Sequence, residues 1–326
     1  MRRNPFRRRG RDLGLRSLEA GLVWILGGPR TGSTWLLELL AYPLAPSTDW
    51  PSGASRKPES GVRPRAVPIN EPYLGMHLAP IVTAGDHALS VFAAPDIRAR
   101  DPSYFFDERW APAWRPHLRR LVLERIAAQA GPARQEHGIE STLVVVKEPN
   151  GSEAAPLIAS TLPRSRILFL LRDGRDVLDS LMDAASPGGW LAGGPAAAEL
   201  SSAEGRTAFL RRNAALWVYR TRAVRRAVAD HPPGLSMTVR YEELRSDPAA
   251  VLRAVESWLG LEHDETALAE AVAATAFEAY PAEAKGPGKP LRLASPGRWR
   301  ESMSADDQRA MLDVMGETLA EVGYEA

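Results

Sequence analysis

The chain has 326 residues, of which 44% are hydrophobic and 25% are charged, a composition typical of a folded protein with a substantial core. Its 41 Lys and Arg residues nearly balance its 40 Asp and Glu residues, so it lacks the overall positive charge of most nucleic-acid-binding proteins. It contains no cysteine, which excludes disulfide bonds and thiolate chemistry. No apolar segment approaches the roughly 18 residues that a membrane-spanning helix needs. We therefore expect a cytoplasmic protein without a nucleic-acid partner or a membrane span, whose anion sites are local.

The amino terminus is strongly basic, with seven arginines and one acid in residues 1–16. This charge is similar to the start of an export signal, but the apolar run that follows, Leu22–Leu26, is too short for one. We expect residues 1–20 to form a flexible basic arm, for which a role in solubility is favoured over contact with an acidic surface. Residues 21–326 are then predicted to form a single domain.

The first apolar run predicts a buried strand that leads through a glycine-rich turn into a helix from about Ser33 to Ala41. Gly27 and Gly32 have the spacing of a P-loop, but Ser33 occupies the place of its lysine, while Thr34 keeps its hydroxyl. Backbone N–H groups at the start of this helix would face an anion, which the helix dipole also favours. We therefore interpret the turn as a phosphate site unsuited to a triphosphate, in preference to a purely structural turn, with Arg30 as its basic group.

The rest of the chain alternates between predicted strands and helices. Short continuous apolar runs predict buried strands at 142–147 and 166–171, and 236–241 is a further strand candidate. Periodicity and capping residues predict helices at 113–130, ending at Gly131-Pro132, at 152–162, between Asp247 and Gly260, and after a capping box at Ser304 and Asp307. This alternation predicts an α/β fold, a P-loop-like three-layer α/β/α arrangement around a central, mostly parallel sheet.

Three long segments have no periodicity. Residues 43–72 read as loop, and residues 184–203 and 278–296 are rich in Gly, Pro and small residues. We expect lid-like insertions near 43–72 and 184–203, with 278–296 as a further candidate.

A second anion motif follows the strand at 166–171. Arg172 comes directly after that strand, and Ser180 falls within the next helix. An arginine fork and a hydroxyl suit a phosphate, although residues 172–176 alone also match a self-paired salt-bridge turn. Because ligands bind at the carboxyl ends of parallel strands, the two anion motifs are expected to share one edge of the sheet.

Together, GGPRTGSTWL and LLRDGRDVLDS resemble the two nucleotide-binding segments of the sulfotransferases that use 3′-phosphoadenosine 5′-phosphosulfate (PAPS). VRYEELRSDPAAVLRAVESWLGL and the segment from GRWRES to the carboxyl terminus are also similar to bacterial members, so the resemblance covers most of the chain from residue 22 onward. It implies transfer of a sulfuryl group from PAPS to a hydroxyl or amine of a small-molecule, sugar or lipid acceptor, with adenosine 3′,5′-bisphosphate (PAP) as product and no metal. The oligomeric state is not indicated.

The resemblance also implies a set of nucleotide-binding positions. Arg30 corresponds to the basic residue on the 5′-phosphosulfate, Trp35 to an aromatic ring on adenine, and Arg172 and Ser180 to the 3′-phosphate ligands. The full implied set is Arg30, Thr31, Gly32, Ser33, Thr34, Trp35, Arg172, Ser180, Tyr241, Arg292, Gly297 and Arg298. The family's Arg-Lys-Gly segment is only partly present, because Leu293 and Ala294 follow Arg292; Lys285, Lys289 or Arg298 would have to compensate.

Catalytic positions follow from the same resemblance. Lys147 matches a lysine that neutralises the leaving phosphate, but the histidine expected two residues later is Pro149. Glu71, in Asn-Glu-Pro-Tyr, matches the glutamate base of the carbohydrate branch, and His77 is the alternative base. Glu148 and His87 are more distant alternatives.

Two other functions are compatible with these motifs. A degenerate P-loop kinase or NTPase would need an acid for Mg²⁺ at a strand end, for which Asp173 is the candidate. A non-catalytic nucleotide-binding protein could use the same fold, because fold alone does not establish activity.

Overall fold

The computed structural model describes residues 14–44, 62–78, 105–139, 143–289, 291 and 295–325. Five strands form one sheet in which every paired neighbour is parallel, in the order β2-β3-β1-β4-β5. The strands are β1 (Leu22–Leu26), β2 (Val67–Asn70), β3 (Val144–Lys147), β4 (Arg166–Leu171) and β5 (Ser236–Arg240).

Helices follow each strand. They are α1 (Ser33–Ala41), α2 (Leu74–Leu78), α3 (Ala111–His137), α4 (Ala155–Thr161), α5 (Gly174–Ala185), α6 (Pro195–Glu199), α7 (Ala203–Asp230), α8 (Tyr241–Ser246), α9 (Pro248–Leu259), α10 (Glu265–Thr275), α11 (Trp299–Ser302) and α12 (Ala305–Glu321). Residues 14–20 are also helical, and 3₁₀ turns occur at Glu108–Trp110, Pro149–Ala154, Phe277–Ala279 and Ala282–Ala284.

The core lies in two layers, one on each face of the sheet. Alternate side chains of β1 show the division: Trp24 packs with helices α3, α4, α5, α7 and α12, whereas Val23 and Ile25 pack with α1, α9 and α10. All five β1 residues are buried, as expected for a central parallel strand covered on both faces. The predicted three-layer α/β/α fold is therefore confirmed.

Several predicted boundaries are also confirmed. Helix α1 covers the predicted Ser33–Ala41, and β4 covers the predicted 166–171. In α9 the Asp247 carboxylate accepts a hydrogen bond from the Ala250 N–H, and Gly260 ends the helix in the left-handed conformation. The capping box before α12 is present.

The prediction of an uninterrupted loop over residues 43–72 is wrong at its end, because Val67–Asn70 forms β2. Pro68 argued against a strand, since proline cannot donate to a ladder. Among the strands that the structure describes, β2 lies at the edge of the sheet and pairs only with β3, so one missing N–H is tolerated there.

Two helices also differ from expectation. Helix α3 was expected to stop at Gly131-Pro132 but continues to His137, because a proline ring tolerates helical φ and the preceding glycine has no Cβ to clash with it. The predicted 152–162 helix begins instead as the 3₁₀ turn Pro149–Ala154. No helix within the described ranges is long and apolar enough to cross a membrane.

Candidate active site

The candidate site lies along one edge of the sheet, where the carboxyl ends of all five strands meet. Reading across the sheet, the residues that follow the strands are Glu71 after β2, Lys147 at the end of β3, the turn 27–32 after β1, Arg172 after β4 and Tyr241 after β5. This is the edge at which parallel α/β sheets bind ligands. The fold therefore brings both predicted anion motifs and both leading catalytic candidates to the same edge.

The glycines of the first turn allow a close approach of neighbouring groups. A Cβ on Gly27 would lie 2.1 Å from the Leu170 carbonyl oxygen, and one on Gly32 would lie 2.6 Å from the Tyr241 ring. Gly32 also has a φ of 88°, a backbone conformation that residues other than glycine adopt only at a cost in free energy. The Gly27 N–H donates to Ser152 Oγ at 2.8 Å, which fixes the start of the turn. Only glycine meets these constraints without displacing a neighbour.

Two guanidinium groups converge beyond this turn. Arg30 donates through Nε to Ser180 Oγ at 2.9 Å, and Arg172 donates to the Arg30 carbonyl oxygen at 2.7 Å. Arg172 also lies over the Tyr241 ring, 4.2 Å from its centroid, a cation–π arrangement. The Arg172 Nε is buried and has no hydrogen-bond partner in the described part of the chain. Two arginines that follow adjacent strands thus concentrate positive charge at one site, where the Arg172 Nε–H group could still donate a hydrogen bond.

These groups open into one cavity. Trp35 forms part of its wall and donates through its indole N–H to Thr275 Oγ1 at 3.2 Å. Of the predicted nucleotide ligands, Arg30, Gly32, Ser33, Thr34, Trp35, Arg172, Ser180, Tyr241 and Arg298 line the cavity. Thr31 and Gly297 do not: the Thr31 hydroxyl donates inward to the Gly28 carbonyl oxygen, and the Gly297 N–H donates to Asp176 at 2.7 Å.

Other cavity residues were not predicted from the sequence. Arg245, Thr275, Phe277 and Tyr280 line it together with Glu38. Arg245 is four residues after Tyr241 on helix α8, a spacing that places both on one helix face and would have been a usable signal. Arg292, Leu293 and Ala294 lie outside the described residues, and so does His87.

Glu38 is paired with a distant tyrosine. The Tyr280 hydroxyl donates to Glu38 Oε2, and Glu38 is only 7% exposed. Burial raises the pKa of Glu38 to about 7, against the opposing effects of the Tyr280 hydrogen bond and the Lys147 charge. This contact ties helix α1 to the segment that carries Phe277.

A buried ion pair lies beside the cavity. Lys147 is 4% exposed; its Nζ is 2.7 Å from Glu71 Oε1 and donates to Thr34 Oγ1 at 2.9 Å. The other carboxylate oxygen of Glu71 accepts a hydrogen bond from Asn150 Nδ2 at 2.9 Å. Lys147 thus connects the end of β3 both to the first anion turn and to Glu71.

The pKa values of this pair are displaced in ways that follow from burial and contact. Burial raises the pKa of Glu71. The hydrogen bond and charge of Lys147, together with hydrogen bonds from Tyr73 and Asn150, lower the pKa by a larger amount, so it lies below its usual value. Burial lowers the pKa of Lys147, and the nearby Glu71 only partly offsets this effect. Burial prevails for Lys147 because it is the more buried partner.

Backbone strain accompanies this pair. Glu71 has a φ of 42° and Tyr73 a φ of 56°, both in the left-handed region that non-glycine residues rarely adopt. Such conformations persist where surrounding contacts over-determine them, and they cluster at functional sites. Here the Glu71 N–H donates to the Lys147 carbonyl oxygen at 2.9 Å, which holds the turn against β3.

Glu148 is fully buried next to Lys147. Its Oε2 accepts the Leu74 N–H at 3.1 Å, and its Oε1 has no hydrogen-bond partner among the described residues. Burial raises the pKa of Glu148 to about 7, and the neighbouring Glu71 adds to the effect. Glu148 therefore holds the start of helix α2, on which His77 lies, and is not accessible to a substrate.

The segment after the cavity is anchored to helix α5. Asp176 accepts the Gly297 N–H, and Asp179 accepts the Ser302 hydroxyl at 2.6 Å. Burial raises the pKa of Asp176. These contacts hold Arg298 at the cavity wall. Across the described ranges, no group of three or more His, Cys, Asp or Glu side chains is arranged to hold a metal ion.

Residues 23–265 match the sequence model of the sulfotransferase family. No protein with a curated description matches the chain. Among solved structures, the mouse sulfotransferase SULT7A1 complexed with PAP is 14% identical, with 95% of this chain and 90% of that chain covered and a TM-score of 0.49. Sulfotransferase STF9 from Mycobacterium avium is 14% identical, with 98% and 81% covered and a TM-score of 0.49. The sulfotransferase domain of the Synechococcus PCC 7002 olefin synthase is 17% identical, with 92% and 94% covered and a TM-score of 0.41.

Asn150 provides a test of the network around Glu71. In Asn150→Ala we expect the pKa of Glu71 to rise, because one of the hydrogen bonds that stabilise the carboxylate is lost. The measurement is a ¹³C NMR titration of carboxyl-labelled glutamates, with Glu71→Gln identifying the resonance. As a control, Asn213→Ala removes an amide whose hydrogen bond, in the described part of the chain, is to the Phe209 carbonyl oxygen, and should leave that titration unchanged. An unaltered Glu71 titration in Asn150→Ala would contradict the network.

Proposed function

The chain belongs to the sulfotransferase family, and from this premise we propose that it transfers a sulfuryl group from PAPS to a hydroxyl or amine of a small-molecule, sugar or lipid acceptor. The observation that carries the proposal is the convergence of Arg30 and Arg172, from adjacent strands β1 and β4, on one cavity that also contains Trp35. Two cationic centres with an aromatic wall suit a nucleotide with phosphates at both ends of its ribose.

The donor set fits such a nucleotide. Ser180 and Arg172, whose buried Nε has no hydrogen-bond partner among the described residues, would hold the 3′-phosphate. Arg30 and the backbone N–H groups at the start of helix α1 would hold the 5′-phosphosulfate, and Trp35 would stack on adenine. Arg298 and Arg245, which also line the cavity, would supply the positive charge that Leu293 and Ala294 do not.

The reaction then needs charge stabilisation and a base. PAPS supplies the sulfuryl group: the bond between sulfur and the phosphate oxygen breaks as a bond between sulfur and the acceptor oxygen or nitrogen forms. Lys147 and Arg30 stabilise the negative charge that develops on the departing phosphate. Glu71 receives the acceptor's proton; its carboxylate has about four lone-pair sites, so one remains beside those used by Lys147, Asn150 and Tyr73.

Because its pKa is lowered, Glu71 is ionised but is a weak base. The ion pair joins Glu71, the proposed base, directly to Lys147, which stabilises the charge on the leaving phosphate. His77 remains the alternative base, since it lies on helix α2 just after the Glu71 turn. We further propose that residues 21–326 act as one domain, with the segment near 184–203 shaping access to the acceptor; of the other candidate lid, near 43–72, residues 45–61 lie outside the described residues.

The function is tested by incubating the protein with ³⁵S-labelled PAPS and extracts of host metabolites, and identifying the labelled product by mass spectrometry. We expect acceptor-dependent transfer without added Mg²⁺. Preference for ATP with a Mg²⁺ requirement would indicate a kinase or NTPase instead. Tight PAP binding with no transfer to any acceptor would indicate a nucleotide-binding protein without catalysis.

Arg172→Ala should weaken PAP binding by about 2 kcal/mol or more, because a charge-assisted contact to the 3′-phosphate is lost. Isothermal titration calorimetry measures the change. Arg172→Lys keeps the charge but loses the planar fork, so its affinity should lie between those of the wild type and the alanine variant.

Arg125→Ala is the matched control, because Arg125 is an exposed arginine on helix α3 whose hydrogen-bond partner within the described ranges is Gln129. It should leave PAP affinity unchanged. Equal affinities for wild type and Arg172→Ala would refute the assignment of the 3′-phosphate.

Glu71→Gln should leave PAP affinity within a factor of about three and reduce turnover at least about a hundredfold, the scale for loss of a general base. In the wild type, activity should fall as the pH drops through the lowered pKa of Glu71, because protonation removes the base. The pH dependence of kcat/KM measures this limb. If Glu71→Gln retains turnover and His77→Gln loses it, His77 is the base.

A further inference from the structure

A second recess lies beside the nucleotide cavity. We call it the Trp190 groove; it is lined by Gly188, Trp190, Pro281, Glu283, Ala284, Gly288 and Lys289. Its two walls come from residues 188–190 and 281–289, which fall within the two candidate lids that the sequence marked at 184–203 and 278–296. Neither the nucleotide ligands nor the catalytic pair accounts for it.

The walls of the groove are joined to each other. The Trp190 N–H donates to the Gly288 carbonyl oxygen at 3.0 Å, and the Gly288 N–H donates to Asp183 Oδ2 at 2.8 Å. Gly288 has a φ of 72°, and a Cβ there would lie 3.1 Å from the Gly188 carbonyl oxygen. Because Asp183 and Ser180 share helix α5, the groove is fixed relative to the nucleotide cavity.

Trp190 connects the groove to the reacting end of that cavity. Its ring centroid is 5.9 Å from the Arg30 guanidinium carbon, and Arg30 is the proposed ligand of the 5′-phosphosulfate. Trp190 is nevertheless 48% exposed, so much of a large apolar side chain faces solvent. Aromatic side chains commonly line ligand pockets, where they stack against flat rings of the ligand.

The same backbone forms a shared wall between the two recesses. Phe277 and Tyr280 line the nucleotide cavity, while Pro281 and Ala284 line the groove. The Tyr280–Glu38 hydrogen bond holds this wall to helix α1. A molecule in the groove would therefore lie next to a nucleotide in the cavity without competing for its ligands.

We propose that the Trp190 groove binds the sulfate acceptor, and that the acceptor carries its hydroxyl on a ring whose flat face stacks on Trp190. This inference rests on the proposed function, because Arg30 marks the position of the transferable group. The apolar lining consists of Trp190, Pro281 and Ala284, enough area for one ring but not for a long alkyl chain. Glu283 and Lys289 offer an acceptor and a donor to polar substituents of that ring.

A sugar ring and an aromatic ring share this chemistry, since both present a flat face with little polarity. The test therefore uses one probe of each kind, 4-methylumbelliferone and cellobiose, with 1-hexanol as the straight-chain comparison. Each is titrated into the PAP-saturated protein, and binding is followed by saturation-transfer difference NMR.

We expect at least one ring probe to bind, and to bind at least about tenfold more tightly than 1-hexanol. Trp190→Ala should weaken that binding at least about threefold, the scale of a lost ring-stacking contact, while Trp190→Phe should retain most of it. PAP affinity, measured by calorimetry, should stay within about twofold in both variants. Trp110→Ala is the matched control, because Trp110 is 61% exposed on an element that does not line either recess. It should change neither the binding of the ring probes nor the affinity for PAP.

The inference is overturned if neither ring probe binds, if 1-hexanol binds as tightly, or if Trp190→Ala and Trp110→Ala behave alike. Each of these results leaves PAP binding and sulfuryl transfer intact and so concerns the groove alone. Failure of the wild-type protein to bind PAP at all would instead remove the proposed function, and the inference with it.

Discussion

The register of the parallel sheet is the constraint on which the candidate site depends. Lys147 pairs with Ile25 of β1 on one side and with Asn70 of β2 on the other. Successive strand residues point to opposite faces, so a slip of β3 by one residue would present Val146 or Glu148 in place of Lys147. Three successive valines of β3 are buried on alternating faces of the sheet, so a slip would exchange one valine for another, and the register is distinguished at Lys147, whose side chain contacts Thr34 and Glu71.

The segment that follows β3 then organises the loops around it. Ser152 accepts the Gly27 N–H, Asn150 binds the Glu71 carboxylate, and Glu148 accepts the Leu74 N–H. The segment is itself held by Arg220 of helix α7, which pairs with Glu153 at 2.9 Å and donates to the Asn150 carbonyl oxygen. A buried charge such as Lys147 is costly unless it is paired and hydrogen-bonded, and these contacts keep its partner in place. The strained φ of Glu71 is consistent with a turn shaped by these contacts.

Local signals in the sequence were enough to predict the fold class and the part of the cavity formed by the two anion motifs. Strands β1, β3 and β4 contain continuous apolar runs. Arg172 directly follows β4 and Arg30 lies in the glycine turn after β1, and both could be recognised because arginine is unusual so soon after a buried strand. Strand β2 was missed because Pro68 interrupts the apolar pattern that marks a strand. A proline is tolerated there because β2 lies at the edge of the described sheet. The Tyr280–Glu38 contact joins residues 242 positions apart, and no local pattern predicts a partner at that distance. Asn150 lies close to Lys147 in sequence, but its role depends on a turn whose backbone conformation the sequence does not encode in any simple motif.

The shared wall between the two recesses has consequences for how variants are interpreted. Residues 277–284 contact the nucleotide cavity through Phe277 and Tyr280 and the Trp190 groove through Pro281 and Ala284. Packed protein is nearly incompressible, so displacing this backbone on one side must move it on the other. A substitution in the wall itself therefore alters both recesses and cannot separate nucleotide binding from acceptor binding. Trp190 escapes this problem, because it lies outside residues 277–284 and donates its backbone N–H to the Gly288 carbonyl oxygen, a bond that alanine or phenylalanine at position 190 retains.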